Sequence, residues 1–131
     1  MSDELIFLRK QEVIDIHAQL IIAFGGSEGL RDEAALESVL AAPEQRAYYE
    51  EADVVMCAAT YAYHLTQAHA FVDGNKRVAA AVTEIFAELN GATLVAPDEE
   101  IVQVFLNIAM GALSRADVEQ IFQDWVAAPS P

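Results

Sequence analysis

The sequence predicts an all-α fold of about six helices around a central helical hairpin. Three observations carry that prediction. Apolar residues recur at helical rather than strand spacing almost throughout the chain. Helix-ending pairs, Gly25-Gly26 and Asn90-Gly91, fall where two of the apolar stripes stop. Two consecutive segments are rich in alanine, which lets helix backbones approach closely.

Taken in order, the first helix carries Val13, His17, Leu20, Ile21 and Phe24 as one stripe and ends at Gly25-Gly26. His17, on that stripe, reads as a packed core histidine. A second helix starts near Asp32 and runs through Leu36 and Leu40 to Pro43, after which Tyr48, Tyr49, Glu50 and Glu51 read as a loop. The third spans Asp53 to Ala68 and is lined with small residues, Ala58, Ala59, Ala62 and Ala68. The fourth, from Gly74 to Asn90, presents Val78, Val82, Ile85, Phe86 and Leu89 on one face, and Ala79, Ala80 and Ala81 allow it to pack tightly on the third. The fifth follows Pro97-Asp98 with Ile101, Val104, Phe105 and Ile108 inward. The sixth starts at Ser114, a good N-cap, with Val118, Ile121, Phe122 and Trp125 as its stripe. Short extended pieces are placed at Leu5–Leu8 and Thr93–Val95, and residues 128–131 read as a frayed tail.

A chain of 131 residues that is 54% hydrophobic is the size of one domain with a real core, so residues 1–131 are assigned to one unit, without repeat or linker. No apolar run reaches the roughly 18 residues needed to span a bilayer. The first residues, Met1 to Glu4, are acidic where a secretory leader is basic, so the expected location is the cytoplasm, away from membranes. Cys57, the single cysteine, has no internal disulfide partner and reads as a buried packing residue. Seven Lys and Arg stand against 21 Asp and Glu, a formal net charge of −14, and that field repels DNA, RNA and anionic lipid. Direct nucleic-acid binding is therefore disfavoured.

Against this acidic background, two of the seven basic residues sit side by side at Lys76 and Arg77, in the first turn of the fourth helix. Cations are unfavourable there, because the helix dipole and unpaired N–H groups already make that end positive, unless an anion docks between them. The backbone N–H groups of about Gly74, Asn75 and Lys76 would hold a phosphate, with glycine at 74 permitting close approach. Lys76 adds a point charge and Arg77 a planar fork. Asp73 can serve as helix N-cap, as a Mg²⁺ ligand beside a nucleotide, or as both. His69, at the end of the preceding helix, is placed to take a proton from an incoming hydroxyl. Phe71 reads as a hydrophobic anchor for the loop. His64 lacks the spacing of a helical metal pair with His69, and one cysteine cannot complete a zinc set.

The run His69 to Arg77, His-x-Phe-x-Asp-Gly-Asn-Lys-Arg, resembles the signature of the Fic/Doc family, in particular its death-on-curing (Doc) toxin branch. The resemblance extends to Gly25 through Asp32, Leu36 through Leu40, Pro43 and Glu88 through Gly91, so it covers most of the chain. It implies His69 as catalytic base, Phe71 as anchor, Asp73 as the acidic, metal-side residue, and Gly74, Asn75, Lys76 and Arg77 as the anion cradle. Where adenylyl-transferring Fic enzymes have a second glycine this chain has Lys76, and where they have a second arginine it has Ala80; both departures are those of the Doc branch. The resemblance therefore implies an ATP- and Mg²⁺-dependent kinase toxin that phosphorylates a threonine of elongation factor Tu and blocks translation. It also implies a Phd-type antitoxin whose disordered tail folds onto the toxin, since the Ser/Thr-x-x-x-Glu-Gly/Asn pattern of self-inhibiting Fic proteins is missing. Tyr48 and Tyr49 offer such a tail, or a target, adjacent aromatics. The alternatives are AMP transfer to a protein, and a Fic-fold domain that binds nucleotide or partner without turnover.

Overall fold

The small-residue segment Val54–Ala68 becomes the axis of the molecule, because Cys57, Ala58, Ala59 and Ala62 let neighbours reach its backbone from several sides. The computed structural model describes residues 4–127, so the tail read at 128–131 lies outside them. Among the described residues the helices are α1 (Lys10–Phe24), α2 (Glu33–Glu50), α3 (Val54–Ala68), α4 (Asn75–Leu89), α5 (Asp98–Ala109) and α6 (Arg115–Trp125). Helices α2, α4, α5 and α6 all pack on α3, and α1 crosses α4. Their buried faces join in one apolar cluster, with Tyr61, Phe71, Phe86 and Phe122 its largest fully enclosed side chains. The all-α expectation holds, and the short extended piece expected at Thr93–Val95 is present as β1 (Thr93–Leu94), which pairs antiparallel with β2 (Val126–Ala127). Leu5–Leu8 forms no strand; Ile6 instead exchanges backbone hydrogen bonds with the side-chain amide of Asn90, at 2.7 and 2.9 Å.

Three boundaries and faces differ from the sequence reading. Helix α2 does not stop at Pro43 but passes through it to Glu50, so Tyr48 and Tyr49 belong to its last turn. Proline removes one donor from the helix, yet the following turn is held from outside. Arg46, only 7% exposed, donates from Nη1 to Thr60 Oγ1 at 2.8 Å and to Glu119, and it pairs with Glu50 at 3.3 Å. Beneath it the Pro43 carbonyl lies 3.6 Å from Cys57 Sγ. Burial pushes the Cys57 thiol up to about 12, so it stays protonated and serves packing. The second difference is Phe24, expected in the core but 66% exposed. The third is Leu89, 45% exposed where α4 outruns the core at its last turn. Among the described residues no helix is long and apolar enough to cross a membrane.

Candidate active site

Helix α3 ends at His69, which takes the left-handed conformation (φ 49°, ψ 44°) usually left to glycine, and this turns the chain sharply out of the helix. Ala70 and Phe71 then plunge into the core at 1% exposure each. The turn is clipped to the segment after α1: Arg31 and Asp32 donate to the Ala70 carbonyl at 2.7 and 2.9 Å, and Val72 donates to Gly29 at 3.0 Å. The Phe71 ring stacks on His17 with centroids 4.0 Å apart. The Asn75 side chain closes the loop on itself, accepting from Phe71 N–H and donating to Phe71 C=O, both at 3.0 Å. Asn75 thus contributes its side chain to loop closure, which leaves only its backbone N–H for an anion.

Asp73 is not the N-cap. That place is taken by Gly74, whose φ of 74° only glycine adopts without strain. The Asp73 carboxylate instead accepts from Ser27 N–H at 3.0 Å and Gly74 N–H at 2.8 Å, and its carbonyl meets His17 Nε2 at 2.7 Å. The bond to Gly74 shifts the expected cradle by one residue. With the Gly74 N–H occupied and no side-chain cap on α4, the donors left without a partner among the described residues are those of Asn75, Lys76 and Arg77.

The Ser27 N–H bond, then that of Gly74, and more weakly Arg77 and His17, hold the Asp73 carboxyl below its usual range. Its folded-state pKa is depressed, so the stability it contributes is complete above its unfolded value of about 3.9 and fades as pH falls through the folded one. Asp73→Asn is therefore expected to lower the melting temperature at about pH 7 and to converge on the wild type near pH 2. Melting curves at both pH values check this.

Close approach of the two loops depends on Gly26. A Cβ there would lie 2.6 Å from Asp73 Oδ2, and its φ of 119° disfavours any side chain. Gly26→Ala should cost about 1–3 kcal/mol in backbone strain and push Asp73 off Ser27. A lower melting temperature together with weaker nucleotide affinity is the expected result.

A cavity of about 400 Å³ opens over this turn. Its lining is polar at Asp73 to Arg77 and apolar at Ala80 and at Ile101, Val102, Phe105 and Leu106 of α5. Lys76 and Arg77 are exposed and form no ion pair with a described residue. The Arg77 guanidinium lies 4.7 Å over the ring of Phe24, which explains why that ring stays outside the core. His69 is exposed, makes no hydrogen bond with a described residue and is not among the residues lining the cavity. Sequence reasoning brings together the nine residues of the turn and packs His17 in the core, where it lies, but it puts Phe24 there as well, takes Gly26 only as part of a helix stop and assigns no role to Ser27.

The donor set also bears on metal. No group of three or more His, Cys, Asp or Glu that could hold an ion by itself occurs among the described residues. One exposed carboxylate, Asp73, suits Mg²⁺, which keeps its waters and takes the rest of its ligands from phosphate.

A profile described as the Fic/DOC family matches residues 7–87. The chain is 30% identical over 109 residues to the protein kinase doc of Escherichia phage P1, an alignment covering 82% of this chain and 86% of that protein. It is 39% identical over 77 residues to the toxin Doc of Mycolicibacterium smegmatis, covering 57% of this chain and 59% of that one. A helical fold, a signature turn poised at the start of α4 and these matches together establish that the chain belongs to the Fic/DOC family, on its Doc branch.

Proposed function

We propose that this protein is a Doc-like toxin that transfers the γ-phosphate of ATP to a hydroxyl of another protein. The observation that carries the reading is a pair of cations that form no ion pair with a described residue, at a helix start without a side-chain cap, opening into a cavity lined in part by apolar residues of α5. Such a site suits a ligand with anionic groups at one end and a flat, weakly polar ring system at the other.

In this reading the N–H groups of Asn75, Lys76 and Arg77 hold the phosphates, and the two side chains balance the charge that builds on the oxygens during transfer. Mg²⁺, held by Asp73 and the phosphates, would add charge neutralisation when bound. A ring nitrogen of His69 takes the proton of the acceptor hydroxyl. Its oxygen bonds to the γ-phosphorus as the bond from that phosphorus to the bridging β,γ oxygen breaks, and the electron pair leaves with ADP. Exposure of His69 outside the nucleotide cavity suits an acceptor that arrives on a second protein.

The acceptor proposed is a threonine of elongation factor Tu, whose modification in the cytoplasm would block translation. An antitoxin of the Phd type, with a disordered tail, is the proposed restraint; a net charge of −14 favours a basic segment.

Incubation of the protein with a bacterial extract and ATP labelled at either the γ or the α position tests the reaction. Label from the γ position alone should appear on protein. Transfer of α label would replace the proposal with nucleotidyl transfer, and no transfer from folded, ATP-bound protein would leave a binding domain.

A further inference from the structure

We propose that His17 is a positioning residue for the anion cradle. Its hydrogen bond to the Asp73 carbonyl, with its ring flat on Phe71, holds the Asp73–Gly74 turn so that α4 starts with its free N–H groups facing the cavity. The inference rests on the reading of that turn as a polyphosphate site.

A histidine is a costly choice for an apolar stripe. Burying an imidazole at 4% exposure is unfavourable unless its polar atoms find partners, and Leu or Phe would pack there without that demand. The partner it finds is 56 residues away, in the signature turn, at 2.7 Å. Because a carbonyl can only accept, Nε2 must carry the proton, which fixes the tautomer. Protonation of the other nitrogen leaves this donor in place, so the contact survives acidification of the ring. That separates His17 from a base such as His69, which must lose its proton to act.

The turn needs such a hold. Gly74 has no side chain to restrict its peptide planes, and its φ of 74° is one of several it can reach. Asp73 is gripped on both sides of that freedom: its carbonyl by His17 and its carboxylate by Ser27 N–H just beyond α1. The ring of His17 is also the surface on which Phe71 rests, 13° from parallel. Helix α1, through one bond and one stacked pair of His17, and the loop after it, through Ser27, therefore support the turn, all acting on residues 71–73.

Titration calorimetry with tripolyphosphate, at a temperature where all proteins are folded, tests this on wild type, His17→Phe and His17→Gln. The Phe variant keeps a ring against Phe71 but has no donor, and should bind about tenfold more weakly. The Gln variant restores an N–H donor and should recover most of that loss, an outcome that a merely space-filling histidine does not predict. Wild-type affinity in His17→Phe would overturn the proposal.

Should the Phe variant fail to fold, ¹⁵N spectra of the unmodified protein decide: Nε2 must be the protonated nitrogen near neutral pH, and an unprotonated Nε2 overturns the proposal. A wild type that binds no tripolyphosphate removes the cradle and this inference with it. A wild type that binds but transfers no phosphate sinks the kinase reading alone, because the role of His17 is read here from affinity.

Discussion

Exchange of His69 for asparagine is expected to lower phosphate transfer from ATP by roughly two to four orders of magnitude while leaving the melting temperature unchanged. The two halves of that expectation have separate causes. Loss of the imidazole removes the group assigned to take the acceptor proton; of the other two histidines, His17 is bonded to the Asp73 carbonyl and His64 is partly buried within α3. Stability should not move because His69 is exposed, makes no hydrogen bond with a described residue and sits at φ 49°, a conformation asparagine adopts at least as readily. ATP affinity should hold as well, because the residue does not line the cavity. The loss should therefore appear in kcat with KM for ATP nearly constant. Initial rates of γ-label transfer and a melting curve on the same preparation check it. Retained transfer would remove His69 as the base, and a large fall in melting temperature would recast it as a structural turn residue.

Which parts of the molecule could be read from sequence depends on how local their causes are. Helices α1, α3, α4, α5 and α6 were legible because an amphipathic stripe repeats every few residues and the caps are adjacent. Ser114, for example, closes a reciprocal box with Asp117 three residues on. The end of α2 was not legible, because the Arg46 contacts that carry it past Pro43 come from α3 and α6. The same division holds in the site. Asp73 to Arg77 are contiguous, and their charge pattern at a helix start has a local meaning. His17 and Ser27 reach Asp73 across 56 and 46 positions, and no periodicity reports such a contact. Phe24 misled for a related reason: a ring on an apolar stripe looks like core until a guanidinium is found above it. On α5 the apolar stripe predicts Ile101 and Phe105 inward, but that Val102 and Leu106 join them in lining a cavity depends on where α4 lies.

Truncation of Phe71 to alanine is expected to be the most destabilising change in the signature, costing about 3–5 kcal/mol. For a chain of this length that corresponds to a fall of roughly 10–20 °C in melting temperature. The ring is 1% exposed and among the largest side chains in the core, so its removal leaves a cavity that the surrounding helices can only partly fill. It also strips His17 of its stacking partner and frees the segment whose backbone the Asn75 side chain grips. Transfer activity should consequently drop further than the folded fraction at the assay temperature accounts for. Phe71→Leu separates these effects: it refills most of the volume at a cost of about 1–2 kcal/mol but cannot present a flat face to the imidazole. A Leu variant that melts near the wild type yet binds tripolyphosphate less well would assign the ring a share in aligning the turn. A Phe71→Ala protein that melts within a few degrees of the wild type would show instead that backbone clips, Ala70 to Arg31 and Asp32 and Val72 to Gly29, suffice to carry the loop.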